Sequence, residues 1–148
     1  MSYFGIGVYH PKTAVNIGTL MRSAYSFGAS YVFTIGRRYS RQASDTVNAP
    51  ANIPLYHYLT IDELVKNMPV GCRLIGVELA EQAHKVGQYI HPKQCVYLLG
   101  AEDYGIPPKD LRRCHEVIQI PFASHCLNVA VAGSIVLFDR KNYLKWAA

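Results

Sequence analysis

The chain has 148 residues, half of them hydrophobic and 17% charged. That composition excludes disorder, and the length predicts one domain, residues 1–148, large enough to bury a core. Its longest apolar run, Val129 to Phe138 interrupted by Gly133 and Ser134, is about half of what a membrane span needs. The opening Met1-Ser-Tyr-Phe-Gly-Ile6 lacks the basic stretch and cleavage site of a signal peptide, so a soluble, cytoplasmic chain with no membrane partner is expected. Cys72, Cys95, Cys114 and Cys126 show neither C-x-x-C spacing nor a histidine at ligand distance. Neither a disulfide framework nor a metal site is indicated, and buried small hydrophobes are the better reading. Fifteen basic against ten acidic residues give a net charge of +5, which permits nucleic-acid binding without demonstrating it.

In chain order, Tyr3 to Tyr9 alternates apolar residues with glycine and predicts a strand. Ile17, Leu20, Met21, Ala24 and Phe27 recur at helical spacing, predicting a helix over 14–27 with Gly28 as its stop. Arg22 falls off that apolar stripe, on the face of Gly18, where a solvent-facing arginine is the ordinary expectation. Tyr31 to Ile35 is a second strand. Arg37-Arg-Tyr-Ser-Arg41 follows directly, with guanidinium groups able to pair with phosphate and a tyrosine able to stack on a base. A solvated surface loop explains the same residues equally well. Leu55 to Leu59 is read as a short strand, and Thr60 with Glu63 has capping-box spacing ahead of a helix that Pro69 ends.

Cys72 to Leu79 and Cys95 to Leu99 are near-continuously apolar, as parallel strands covered on both faces are. Leu99-Gly-Ala-Glu-Asp-Tyr-Gly-Ile-Pro107 then places Glu102 between glycines immediately after a strand. Such a loop suits close approach to a ligand, or simply turns the chain into the helix predicted over Lys109 to Cys114. It is not a dinucleotide fingerprint, and neither is Gly5-Ile-Gly7, so a Rossmann site or other flavodoxin-like nucleotide domain ranks last. Val117 to Ile120 is the last strand. The segment from Pro121 to Leu127 is rich in small residues, and Asn128 stands where a helix cap belongs. The final helix, Leu127 to about Leu144, is apolar nearly all round from Val129 and is expected to be buried. Strands alternating with helices predict an α/β domain with a mostly parallel sheet flanked by helices.

Taken together, Asn16-Ile-Gly-Thr-Leu-Met-Arg22, Leu99 to Pro107 and Ile120 to Ala132 resemble, in this order and spacing, the three motifs of the SpoU (TrmH-like) branch of the SPOUT RNA methyltransferases. The resemblance implies a C-terminal deep trefoil knot, here about Cys95 to Ile135. It implies an S-adenosylmethionine pocket lined by Leu99, Gly100, Ile120 and Leu127, with Arg22 at the methyl-acceptor site and Asn16, Glu102 and Asn128 as the polar groups that position it. It implies methyl transfer to a ribose 2′-hydroxyl by a homodimer in which Arg22 reaches the cofactor of the other subunit. The RNA expected is tRNA, as for short TrmL-like members without a separate N-terminal RNA-binding domain. An rRNA is the alternative, and DNA is not an expected partner. Where the family's third motif usually carries serine, this chain has Cys126, and the stretch from Pro121 to the Leu-Asn pair is shorter than in many members. A catalytically silent RNA-binding protein of the same fold is the reading from another class. Arg37, Arg38 and Arg41 are the candidate RNA contacts.

Overall fold

The computed structural model describes residues 2–38 and 52–147. Among these residues the strands are β1 Tyr3–Tyr9, β2 Tyr31–Ile35, β3 Leu55–Tyr58, β4 Arg73–Val77, β5 His84–Lys85, β6 Gln94–Leu99 and β7 Glu116–Gln119. The helices are α1 Ala14–Phe27, α2 Ile61–Asn67, α3 Pro108–Leu111 and α4 Val129–Ala147. The strands form one sheet in the order β3-β2-β1-β6-β4-β7-β5, and every pairing in it is parallel. Parallel pairing leaves both faces to be covered, and the two cores divide accordingly. On one face Ile6, Val8, Tyr97 and Leu99 pack with Leu20, Met21, Val136 and Leu137 of α1 and α4. On the other, Phe33, Ile35, Val96 and Leu98 pack with Ile61 and Leu64 of α2 and with Ile106.

The local chemistry explains most boundaries. Gly28 ends α1 at φ +83°, its N–H and that of Ala29 closing onto the last-turn carbonyls. Thr60 Oγ1 accepts from Glu63 N at 3.2 Å while Glu63 Oε2 accepts from Leu59 N at 2.6 Å, a capping box shifted by one residue. The chain turns extended at Met68, just before Pro69. In β1, a Cβ on Gly7 would fall 2.4 Å from the Phe33 ring, so glycine there lets the β2 aromatics lie across the strand.

Several boundaries differ from the sequence expectation. The predicted strand through Leu79 stops at Val77: Glu78 N–H still donates to Ile118 O of β7, but the next amide, Leu79 N–H, is taken by the Glu78 carboxylate at 3.0 Å. The helix over Lys109 to Cys114 is one turn, Pro108–Leu111, followed by tight turns. Leu127 and Asn128 precede α4 rather than starting it. That helix is not buried all round: Ala130, Val136 and Leu137 face the core, whereas Val131 and Phe138 are exposed. The short strand β5 escapes sequence reading, since two residues carry no periodicity. Of the thiols, Cys72 and Cys95 are buried and Cys114 half-buried, while Cys126 is exposed.

A cleft at the carboxyl ends of the strands

Strand β1 leads into α1 on one face of the sheet, and β6 leads into α3 on the other. The connections therefore diverge between these two neighbouring strands, the place where open α/β sheets hold ligands. After β6 the chain makes a closed loop, with Ala101 N donating to Gly105 O at 3.0 Å and Gly105 N to Ala101 O at 2.9 Å. Gly105 sits at φ +70°, and a Cβ there would meet Glu78 Oε2 at 2.2 Å. Glu78, freed by the end of β4, holds the loop from outside: Oε2 accepts from Ile106 N at 2.9 Å and Oε1 from Leu79 N at 3.0 Å.

Glu102 projects from this loop toward α1. One carboxylate oxygen accepts from Asn16 Nδ2 at 2.8 Å and the other from Thr13 Oγ1 at 3.2 Å. Asn16 Oδ1 in turn accepts from Asn128 Nδ2 at 3.0 Å. Asn128 is also a helix cap, its Oδ1 accepting from Ala130 N and Val131 N. The cap and the polar bridge are one side chain used twice. Lys12 pairs with Asp103 at 3.2 Å beside it. Three segments far apart in sequence are thus tied by one run of side-chain hydrogen bonds.

Beside this run lies a cleft of about 220 Å³ whose lining includes Leu99, Gly100, Ile120 and Leu127. Val77, Glu78, Gln119 and His125 line it as well. The backbone of Pro121–Leu127 makes no hydrogen bond to another described residue, so its N–H and C=O groups are available to a ligand in the cleft. Apolar walls with free main-chain groups suit an adenosine-sized molecule, and these residues fit the cofactor that the motifs imply.

Arg22 does not join the cleft. It is exposed, makes no ion pair with any described residue, and lies six residues beyond Asn16. Helix geometry separates the two by about 9 Å along the axis and about 120° around it. Arg37 and Arg38 are exposed just past β2; Arg41 lies outside the described residues. Burial, with a smaller contribution from the Arg38 charge, holds His57 below the ordinary histidine range. Sequence reasoning misses Glu78 and Thr13. Glu78 reads as part of a strand, and a threonine before a helix ordinarily reads as a cap, a role its side chain does not fill here.

A family model described as the SpoU rRNA Methylase family matches residues 4–138. The chain belongs to this family. A mouse (Mus musculus) relative, tRNA (guanosine(18)-2′-O)-methyltransferase TARBP1, is 29% identical over 133 residues, covering 84% of this chain and 8% of that protein. The 23S rRNA (guanosine-2′-O-)-methyltransferase RlmB of Acinetobacter baylyi is 23% identical over 133 residues, covering 84% of this chain and 53% of that protein. The chain thus spans about half or less of the length of these relatives. Among solved structures, an AdoMet-bound rRNA methyltransferase from Sinorhizobium meliloti superposes with a TM-score of 0.82 at 25% identity, covering 97% of this chain and 58% of that one. The A. aeolicus TrmH/SpoU tRNA modifying enzyme gives 0.87 at 17% identity, covering 99% and 78%. At that identity the likeness shows the parallel α/β fold alone.

Proposed function

We propose that this SpoU-family chain is an S-adenosylmethionine-dependent methyltransferase acting on a ribose 2′-hydroxyl of RNA, with tRNA as the acceptor and the cytoplasm as its place of action. The observation that carries this reading is the hydrogen-bonded run Glu102–Asn16–Asn128 at the edge of the cleft, built by the three motifs of the resemblance and extended by Thr13 just before the first. An rRNA acceptor is the second reading, because RlmB is named for rRNA and TARBP1 for tRNA.

When bound, S-adenosylmethionine supplies a methyl group on a sulfonium, already a competent electrophile. The protein's task is alignment of the acceptor and management of its proton. Leu99, Ile120 and Leu127 would cover the cofactor's apolar surface, and Gly100 would let it approach the backbone closely. Glu102 is fixed by two donors and cannot swing freely, so it offers a set direction to a polar group at the cleft edge. Arg22 faces away from the cleft of its own chain, and in this reading it serves the cleft of a second copy. The exposed Val15 of α1 and the exposed Val131 and Phe138 of α4 support an isologous contact there. Arg22 there either takes the hydroxyl proton or holds the hydroxyl and stabilises the negative charge that develops on it. The trefoil knot over about Cys95 to Ile135 belongs to the same proposal; the return of residues 120–127 against the loop after β6 supports it.

Isothermal titration with S-adenosylhomocysteine in the presence of chelator should give saturable binding. Incubation with tritiated cofactor and tRNA lacking its 2′-O-methyl groups should label ribose. Absence of both binding and labelling would refute the reading; labelling of a base alone would refute the chemistry.

A further inference from the structure

Beside Glu102, the loop after β1 and the loop after β6 present an aromatic surface that begins at the rim of the cleft, where Tyr104 is one of the lining residues. Tyr104 stands two residues past Glu102 and is 59% exposed. Its ring meets the buried Tyr9 edge-on, at 6.4 Å between centroids, and His10 lies on the same Tyr9 ring at 4.5 Å. Tyr9 packs in the core beneath the two exposed rings, and its burial, with Asp110 adding to the effect, raises its hydroxyl well above the ordinary range.

His10 is held there at some cost. Its φ is +45°, a region non-glycine residues seldom occupy. Its ring fills the space over Gly36, where a Cβ would come within 2.4 Å of it. Strain kept at an exposed position beside a functional site suggests use rather than packing. Exposed Arg37 follows Gly36 directly, and Lys12, two residues after His10, pairs with Asp103, the neighbour of Tyr104.

We infer that Tyr104 and His10 form a stacking subsite for an unpaired nucleobase of single-stranded RNA next to the nucleotide methylated at the Glu102 cleft. The inference rests on the proposed function. The rings supply a face that any base can use, and the arginines after Gly36 supply phosphate contacts, a combination suited to single strands rather than duplex. The subsite therefore selects a loop conformation, not a base identity.

The test is fluorescence anisotropy with a short labelled single-stranded RNA of mixed sequence and with the same RNA annealed to its complement, both with saturating S-adenosylhomocysteine. Wild-type protein should prefer the single strand. Tyr104→Ala should weaken that binding by about 5- to 150-fold, the alanine cost of one stacked base, while Tyr104→Phe should stay within about twofold. His10→Gly, which accepts the positive φ, should weaken binding without loss of thermal stability. Equal binding of single strand and duplex, or wild-type affinity in Tyr104→Ala, would overturn the inference. So would a parallel loss of S-adenosylhomocysteine affinity in Tyr104→Ala, since the residue would then serve the cofactor cleft it borders rather than the RNA. Wild-type protein that fails to bind S-adenosylhomocysteine would count against the proposed function instead, and the RNA comparison would still be readable without it.

Discussion

Gly105→Ala perturbs the cleft without touching any residue to which a chemical role is assigned. Two costs add. Alanine in the left-handed region is disfavoured by about 1–2 kcal/mol, and the new Cβ would sit 2.2 Å from Glu78 Oε2. The carboxylate must then move, loosening its bonds to Ile106 N and Leu79 N. Each charged hydrogen bond contributes about 1.5–3 kcal/mol, but Glu78 is half-buried and can relax toward water, so a net loss of about 2–4 kcal/mol is expected. For a chain of this size that is a fall in Tm of about 4–16 °C. Gly87→Ala is the matched control: φ is +95° there, yet no heavy atom lies within 4 Å of a Cβ, so only the backbone cost of about 1–2 kcal/mol applies. Urea unfolding of the three proteins measures both. Titration of S-adenosylhomocysteine should weaken about tenfold or more in Gly105→Ala and not in Gly87→Ala. If Gly105→Ala costs no more than Gly87→Ala, then the Glu78 strut does not hold the loop and the account of the cleft is wrong.

Arg22→Ala should melt within about 1 kcal/mol of wild type, because the side chain is exposed, while methyl incorporation into tRNA falls by about 100-fold or more; retention of half the turnover would remove Arg22 from the site. Arg22→Lys should rescue little, since a point charge does not reproduce a planar fork of donors. Replacing Arg37, Arg38 and Arg41 by alanine should reduce the slope of log RNA affinity against log salt by about 0.7–0.9 for each phosphate no longer neutralised and leave cofactor affinity alone; an unchanged slope would return these residues to the solvent. Light scattering should give close to twice the 16.5 kDa of the chain, and a fully active monomer would refute the shared site. Burial lowers the pKa of His91, outweighing the opposite pull of Asp139. The native state thus binds fewer protons than the unfolded one, and urea stability should fall as pH drops through the unfolded value of 6.5; a rise in that range would show that Asp139 dominates.

Much of this architecture is legible in the sequence because local chemistry and burial agree. The α1 stripe from Ile17 to Ala24 gives both the helix and its buried face, and Gly28 gives its end. The Asn16, Glu102 and Asn128 cluster is reachable only through the resemblance, since positions 86 and 112 residues apart leave no local trace. What fails does so for tertiary reasons. Hydrophobicity all round α4 reads as burial, yet Val131 and Phe138 face outward; composition cannot tell a core from a surface that a second chain would cover. Glu78 reads as the end of a strand, because its partner, the Ile106 amide, is 28 residues away.

The two ends of the sheet differ in a way that bears on where chemistry can occur. At the amino end, Arg140 of α4 is only 1% exposed. It donates to Pro92 O, Lys93 O, Ser2 Oγ and Tyr97 OH, and its guanidinium lies 4.4 Å from the centre of the Phe4 ring. Beside it, His91 bridges Tyr97 OH and Asp139 at 2.6 and 2.8 Å. A buried cation is tolerable only when partners replace its water, and here the chain supplies nearly all of them. This network ties α4 to β6 and leaves little for a ligand to do. At the carboxyl end the balance is reversed. Main-chain groups of 121–127 have no protein partner among the described residues, glycines replace side chains, and the polar residues are held in place but not enclosed. The saturated end fixes β6 and α4, and through them the loops that leave β6 and enter α4. The unsaturated end can then offer its free groups in a set geometry. A substitution such as Arg140→Met, which leaves the Pro92 carbonyl without its donor while Tyr97 OH keeps His91 and Lys93 O keeps the Tyr3 amide, should therefore act on the cleft only through stability, whereas substitutions at Glu102 or Asn16 should act on it directly.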